Sequence, residues 1–344
     1  MITFESDYTT GAHPEILKRL AETNLEQVSG YGKDRFTESA VKKIKEACRC
    51  PDAQIYLTAG GTQANQLVIS TLLKGYEGVV AAETGHVSLH EAGAIEYSGH
   101  KVLTIPGHMG KMLASELKAL LEGFYQDDNH PQMVFPGMVY ISQPTEYGSL
   151  YQKQELEDIS GVCRAYKLPL FVDGARLGYA LAAHEADVNL AELAELADIF
   201  YIGGTKVGAL IGEAIVYTRG NMPEHFVTMA KQRGALLAKG RLLGLQFDTL
   251  FTDDLYLECG KNAITKKDRL VKILKNAGFS FFYESPTNQQ FVIMDRERFE
   301  SLKETVGMGF WENHGEKQCV VRFATSWSTA DADLDELERI LAEN

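Results

Sequence analysis

Tyr201-Ile-Gly-Gly-Thr-Lys206-Val-Gly-Ala-Leu-Ile-Gly212 is the stretch on which the reading of this chain turns. The apolar run at 199–202 is short enough to be one buried strand. It stops at paired glycines, and a lone lysine follows among small residues. The nearest charges in sequence are Asp198 and Glu213, so no adjacent residue neutralises Lys206. Desolvation disfavours the ammonium form, and a lysine that has lost its proton is an amine nucleophile able to form a Schiff base. A lysine snorkelling from a turn to solvent has the same local sequence. The flanking segments must separate the two readings.

Upstream, residues 168–173 read as a strand that ends at Asp173 and turns through Gly174-Ala-Arg176. Asp173 and Lys206 lie 33 residues apart, room for one helix and one strand, which predicts both at adjacent strand ends. A strand at 54–58 breaks into Ala59-Gly60-Gly61-Thr62 and continues as an apolar helix over 66–74. Strand, glycine loop and helix present backbone N–H groups to an anion, although many such turns only pack. The spacing is neither that of a Walker loop nor that of a dinucleotide fingerprint. A further strand from 78 ends at Gly85-His86, where α/β proteins place ligands; a loop histidine with only structural hydrogen bonds is the alternative. Strands at 101–105, 138–142 and 212–217, with helices at 113–122, 155–165 and 190–196, complete an alternation that predicts an α/β layer with a largely parallel sheet.

Before this layer runs an arm with turn-forming Ser6-Asp7, a helix at 15–23, a Gly30-Tyr31-Gly loop and a charged helix at 37–48. From about residue 250 the pattern changes to a helix at 261–277, strands at 280–283, 291–294 and 320–324, a helix near 297–305 and an acidic helix from 332. Two units are therefore expected, a large one over 1–250 that includes the arm and a small α+β one over 251–344. Arg322 is a guanidinium among apolar strand positions and wants a carboxylate, either from a neighbouring helix or from a ligand.

The chain has 344 residues, 24% charged and 45% hydrophobic, close to the globular norm. A net charge of −13 argues against a nucleic-acid partner. Five scattered cysteines, an odd number with no second pair near Cys48-Arg-Cys50, give no zinc pattern and suit a reducing compartment. The first residues carry no signal-peptide pattern, and no apolar run approaches about 18 residues. A soluble cytoplasmic protein with no membrane partner is expected.

The glycine–threonine cradle, His86, Asp173 with Arg176, Lys206 and Arg322 together suit one cofactor, pyridoxal 5'-phosphate. At these residues the chain resembles the threonine aldolase / β-eliminating lyase group of fold-type-I pyridoxal-phosphate enzymes. The resemblance is carried by Ser6-Asp7, Tyr31-Gly-Lys-Asp34, Gly60-Gly-Thr-Gln-Ala-Asn65, Gly85-His86 with Glu91-Ala-Gly93, Asp173-Gly-Ala-Arg176, Gly204-Thr-Lys206 and Val321-Arg-Phe-Ala-Thr325, in the family's order along almost the whole chain. It implies a large domain with a mostly parallel seven-stranded sheet and a small C-terminal α+β domain. It implies Lys206 as the residue that holds the cofactor as an aldimine, Asp173 on the pyridinium nitrogen and Arg176 on the phenolic oxygen. Gly60, Gly61 and Thr62 would bind phosphate. His86 would stack on the ring and help deprotonate the substrate's β-hydroxyl. Ser6 and Arg322 would grip the substrate carboxylate, and Tyr31 would reach the site of a neighbouring subunit in a homodimer or homotetramer.

The implied reaction is cleavage of threonine or allo-threonine to glycine and an aldehyde through an external aldimine and a quinonoid. β-Elimination, transamination and racemisation use the same cofactor, and a non-catalytic homologue that retains it is a further reading. The chain departs from the family pattern in three places, one of them the lysine loop, which reads Gly203-Gly-Thr-Lys206 where serine more often precedes the lysine. Where Glu-Asn-Thr-His is usual, it reads Ser142-Gln-Pro-Thr-Glu146-Tyr147. The family's later Gly-Gly-Gly-Met-Arg-Gln becomes Gly234-Ala-Leu-Leu-Ala-Lys-Gly240, with Lys231 and Lys239 nearby. A histidine that contacts the substrate hydroxyl is expected at His130.

Overall fold

The computed structural model describes residues 2–343. Its strands are β1 (Ile2–Thr3), β2 (Gln54–Thr58), β3 (Glu77–Ala82), β4 (Val102–Ile105), β5 (Phe135–Ser142), β6 (Leu170–Asp173), β7 (Ile199–Gly203) and β8 (Glu213–Tyr217), followed by β9 (Ser280–Tyr283), β10 (Gln289–Asp295), β11 (Val306–Gly307), β12 (Gly309–His314) and β13 (Gln318–Ala324). Seven of them form one sheet in the order β2-β8-β7-β6-β5-β3-β4. Strands β4 through β7 in that order pair in parallel, and β8 runs antiparallel to both β7 and β2. The expected parallel sheet is present, with one reversed strand. That reversal has a local cause. Only nine residues, 204–212, join β7 to β8, too few for a right-handed crossover.

Side chains alternate across this sheet, and both faces are covered, so the central strands read as unbroken apolar runs. Leu170, Val172, Phe200 and Ile202 enter one core; Phe171, Ile199 and Tyr201 enter the other. The pleat then fixes the site. Asp173 follows Phe171 by two residues and so shares its face with Tyr140 and Tyr201. The helix Gly61–Leu72 packs on that same face through Ala64, Leu67 and Val68, which brings Asn65 to the carboxyl ends of the strands.

The turns at those ends need close backbone approach. Gly203 N–H donates to the Gly174 carbonyl at 2.9 Å. A Cβ on Gly203 would lie 2.2 Å from the Ala175 carbonyl oxygen, which is backbone and cannot move aside. Gly203→Ala is therefore expected to cost about 3 kcal/mol or more, read as a lowered denaturant midpoint with unchanged slope.

The second sheet is antiparallel, in the order β12-β13-β10-β9, and the short strands β1 and β11 pair beside it. Its core takes in Phe4 from the N-terminal arm. The helix Leu255–Asn276 serves both units: Tyr256, Cys259 and Ala263 lie in the core of the large sheet, while Leu270, Ile273 and Leu274 lie in that of the small one. Strand β12 was not expected from the sequence. Its Gly-Phe-Trp-Glu-Asn-His run is a half-exposed edge strand with no clean alternation.

Candidate active site

The carboxyl ends of β3, β5, β6 and β7 meet the edge of the second sheet around a cavity of about 600 Å³ lined by His86, Glu146, Arg176, Lys206, Trp311 and Arg322, among others. Lys206 projects from the loop after β7, with its ammonium 5.9 Å from the ring centre of Tyr8. Its pKa lies below the usual lysine value because burial disfavours the charge and the Arg176 guanidinium repels it; Asp7, Glu213 and Asp173 only partly offset this. Behind the loop, Glu213 accepts from Gly204 N–H at 3.0 Å. Burial pushes its carboxyl up to about 8, against the opposing pull of Lys206 and its hydrogen bonds.

Asp173 is buried at the end of β6 and fully engaged. One oxygen accepts from Tyr201 at 2.5 Å and from Ala175 N–H at 2.9 Å; the other accepts from Tyr140 at 2.6 Å and Asn65 at 3.0 Å. Burial would raise its pKa, but the His86 imidazole and the Tyr140, Tyr201 and Asn65 hydrogen bonds hold it below the usual carboxylate value. Asn65 donates at 2.7 Å to Glu91, whose same oxygen meets His86 Nδ1 at 2.8 Å. That contact leaves His86 Nε2 to meet whatever binds. Burial opposes protonation of His86, yet Glu91 and Asp173 prevail and raise its pKa.

Arg176 gives Nε and one terminal nitrogen to Asp7, at 2.6 and 3.0 Å, so a single terminal nitrogen remains for a ligand. Across the cavity, Arg322 donates to Gln289 at 3.1 Å and to the Glu5 carbonyl at 2.9 Å, and stands 5.6 Å over the Trp311 ring. Its Nε is buried without a partner, as is the Ser6 hydroxyl. The helix Gly61–Leu72 begins at Gly60 with no side-chain cap. Its first N–H groups are thus available to an anion. A Cβ on Gly61 would come within 2.9 Å of the Tyr201 hydroxyl that holds Asp173, so the cradle and the aspartate are coupled in space.

Pyridoxal phosphate fits these residues: an uncapped glycine-rich helix start, an anionic aspartate, an amine of lowered pKa and a spare arginine nitrogen. Two expected site residues stand elsewhere. His130 sits on a short turn before β5, with Nδ1 on the Asp127 carbonyl at 2.8 Å and its ring against Phe124, Tyr125 and Phe135. That is the amino end of β5, while the cavity lies at the carboxyl end, so an eight-residue strand of roughly 25 Å separates them. The structure therefore does not bring His130 to the cavity of its own chain, which Glu146 and Tyr147 line instead. Tyr31 is also outside the cavity, half-exposed, with the Lys231 ammonium 5.3 Å from its ring. Sequence reasoning assigned no role to Tyr140, Tyr201 or Trp311, each of which reads locally as core packing.

The fold and this lysine–aspartate–arginine arrangement define a class that the comparisons name: the chain belongs to the beta-eliminating lyase family, which matches residues 3–297. It is 31% identical to the low specificity L-threonine aldolase of Pseudomonas aeruginosa over 341 residues, 98% of this chain and 96% of that protein. The solved structure of Leishmania major threonine aldolase superposes with a TM-score of 0.95 at 38% identity, covering 100% of this chain and 99% of that one. A histidinol-phosphate aminotransferase from Clostridium acetobutylicum shares the fold alone, with a TM-score of 0.76 at 14% identity.

Proposed function

We propose that this protein is a pyridoxal-phosphate-dependent aldolase that cleaves the Cα–Cβ bond of a β-hydroxy-α-amino acid, of the threonine or allo-threonine type, into glycine and an aldehyde. The observation that carries the reading is one cavity with an amine of lowered pKa on one wall and a guanidinium with a free Nε on the other. When bound, the cofactor supplies an electron sink for the pair left at Cα as the bond breaks.

Lys206 attaches the cofactor, and the N–H groups of Gly61 and Thr62, with Gly60, hold its phosphate. Asp173 keeps the ring nitrogen protonated, the remaining nitrogen of Arg176 meets the phenolic oxygen, and His86 lies against the ring. Arg322 and Ser6 bind the substrate carboxylate and thereby orient the Cα–Cβ bond. A base from the group around His86 takes the β-hydroxyl proton. Tyr31 serves the site of a neighbouring subunit in a homodimer or homotetramer. Residues 1–250 supply most of the cofactor-binding unit and 251–344 most of the smaller one, with Tyr256, Cys259 and Ala263 packed into the large core and Phe4 into the small one. The cytoplasm is the assigned compartment, supported by five cysteines that are all unpaired.

The test is aldehyde release by the purified protein from L-threonine and L-allo-threonine supplied separately. Equal amounts of glycine and aldehyde are expected. Bound cofactor with keto acid or ammonia in place of aldehyde would point to transamination or β-elimination. Arg322→Lys keeps the charge but loses the planar fork. It is expected to raise KM for the amino acid roughly tenfold to a hundredfold with a smaller change in kcat, measured by steady-state kinetics.

A further inference from the structure

The turn after β5 carries a carboxyl group that the roles above leave unused. Glu146 is buried and lines the cavity with His86, Lys206 and Arg322. Its Oε1 accepts from the His86 backbone N–H at 2.9 Å and from the Ser142 hydroxyl at 2.7 Å. Its Oε2 is buried with no hydrogen-bond partner. A buried carboxyl oxygen without a partner is costly to maintain, so it is expected to meet a group that arrives with the ligand. Glu91 and Asp173 raise the pKa of His86 against the opposing effect of burial, which reduces the share of neutral imidazole whose Nε2 could take the proton, whereas Glu146 presents an unpartnered carboxyl oxygen to the same cavity.

We propose that Glu146 is the acid–base residue for the substrate's β-hydroxyl, a reading that rests on the aldolase function above. Oε2 accepts the hydroxyl proton. The O–H electron pair becomes the second bond of the aldehyde carbonyl, the Cα–Cβ bond breaks, and its pair remains with Cα. In the reverse direction the protonated carboxyl returns the proton to the aldehyde oxygen. Ser142 and the His86 N–H act as positioning groups that fix Oε1 and leave Oε2 for the substrate.

The charges around Glu146 define its titration. Burial and Asp173 raise its pKa; the Ser142 hydrogen bond, its own backbone contact and His86 lower it, with a net shift upward. Tyr140, 3.4 Å from the Ser142 hydroxyl, and Tyr147, hydrogen-bonded to Glu312 at 3.2 Å, are the phenols on its own element. Glu91 stands behind the His86 ring, and Arg176, Lys206 and Arg322 face Glu146 from the other walls. The base must be ionised, so kcat/KM falls as pH drops through this raised value.

The experiment uses the cofactor-loaded protein and Glu146→Gln with two readouts. One is aldehyde release from L-threonine or L-allo-threonine. The other is exchange of the α-proton of glycine with deuterated water, which needs the cofactor and the carboxylate grip but no β-hydroxyl. E146Q is expected to keep its cofactor absorbance and glycine exchange while losing at least ~100-fold in aldehyde release. Ser142→Ala removes a hydrogen bond to the carboxylate and is expected to move the acidic limb of the kcat/KM profile to higher pH. Aldehyde release by E146Q within a few-fold of the parent overturns the proposal, as does equal loss of exchange and cleavage, and so does an unmoved limb in Ser142→Ala. Glycine exchange without any aldehyde from the parent protein overturns the aldolase reading itself.

Discussion

Lys206→Ala is expected to abolish covalent attachment of the cofactor and to lower aldehyde release by at least ~10³-fold, the scale of losing a covalent nucleophile. The loop that carries the lysine is built by its backbone, so the variant should remain folded. Gly204 and Thr205 N–H donate to the Gly212 carbonyl at 2.9 and 3.1 Å, Gly212 N–H donates to the Thr205 hydroxyl at 3.0 Å, and the Tyr179 hydroxyl donates to the Lys206 carbonyl. None of these involves the Lys206 side chain. Its removal also relieves a buried charge beside Arg176, so thermal stability should hold or rise slightly. Borohydride treatment followed by mass analysis of peptides provides the check. A reduced adduct on the 204–212 loop is expected in the parent and none in the variant. An adduct that persists would move the attachment to another lysine and remove the basis for the site.

The same loop explains why much of the fold was legible in the sequence. Strands buried on both faces give apolar runs, those of β6 and β7 stopping at glycine, and the seven strands of the large sheet were readable with boundaries close to those observed. The charged or reactive residues stand just past those ends, where the pleat stops being filled by core. Asp173, Arg176, Lys206 and His86 could be found for that reason. Other parts depend on contacts remote in sequence. Asn65 reaches Asp173 across 108 residues and Arg176 reaches Asp7 across 169, and no local pattern announces either. Tyr140 and Tyr201 look like core because all but their hydroxyls are core.

His130 and Glu146 show the limit from both sides. His130 is expected from the resemblance to a histidine of the family, but strand β5 carries it to the end of the sheet away from its own chain's cavity. Glu146 sat inside a segment that departed from the expected motif, where a departure in sequence says only that something differs. Its unpartnered Oε2 became visible once the turn was placed against His86 and Ser142. Strand β12 is a further case. Trp311 and Phe310 on it close one wall of the cavity, yet an edge strand needs no second apolar face and so leaves no alternation to read.

Asp173→Asn isolates charge from shape at the other end of the site. The asparagine fits the same space, and its amide oxygen can still accept from Asn65 or a tyrosine. Its NH₂ group, however, faces hydroxyls that now donate to Asp173, so Tyr140 or Tyr201 must turn to accept. The negative charge is lost altogether. Without it the ring nitrogen of a bound cofactor has no partner that favours protonation, and the electron sink weakens. Aldehyde release is expected to fall on the order of 10³-fold, with the lysine adduct still formed and the protein still folded. His86 should respond as well. Asp173 contributes to its raised pKa, so the variant's imidazole should titrate at lower pH, a shift that NMR of the ring protons can follow. Tyr140→Phe and Tyr201→Phe each remove one hydrogen bond but leave the charge, and should cost only about tenfold. If either phenylalanine variant matched the asparagine one, hydrogen-bonded positioning of the carboxylate rather than its charge would be the decisive contribution of this side of the cavity.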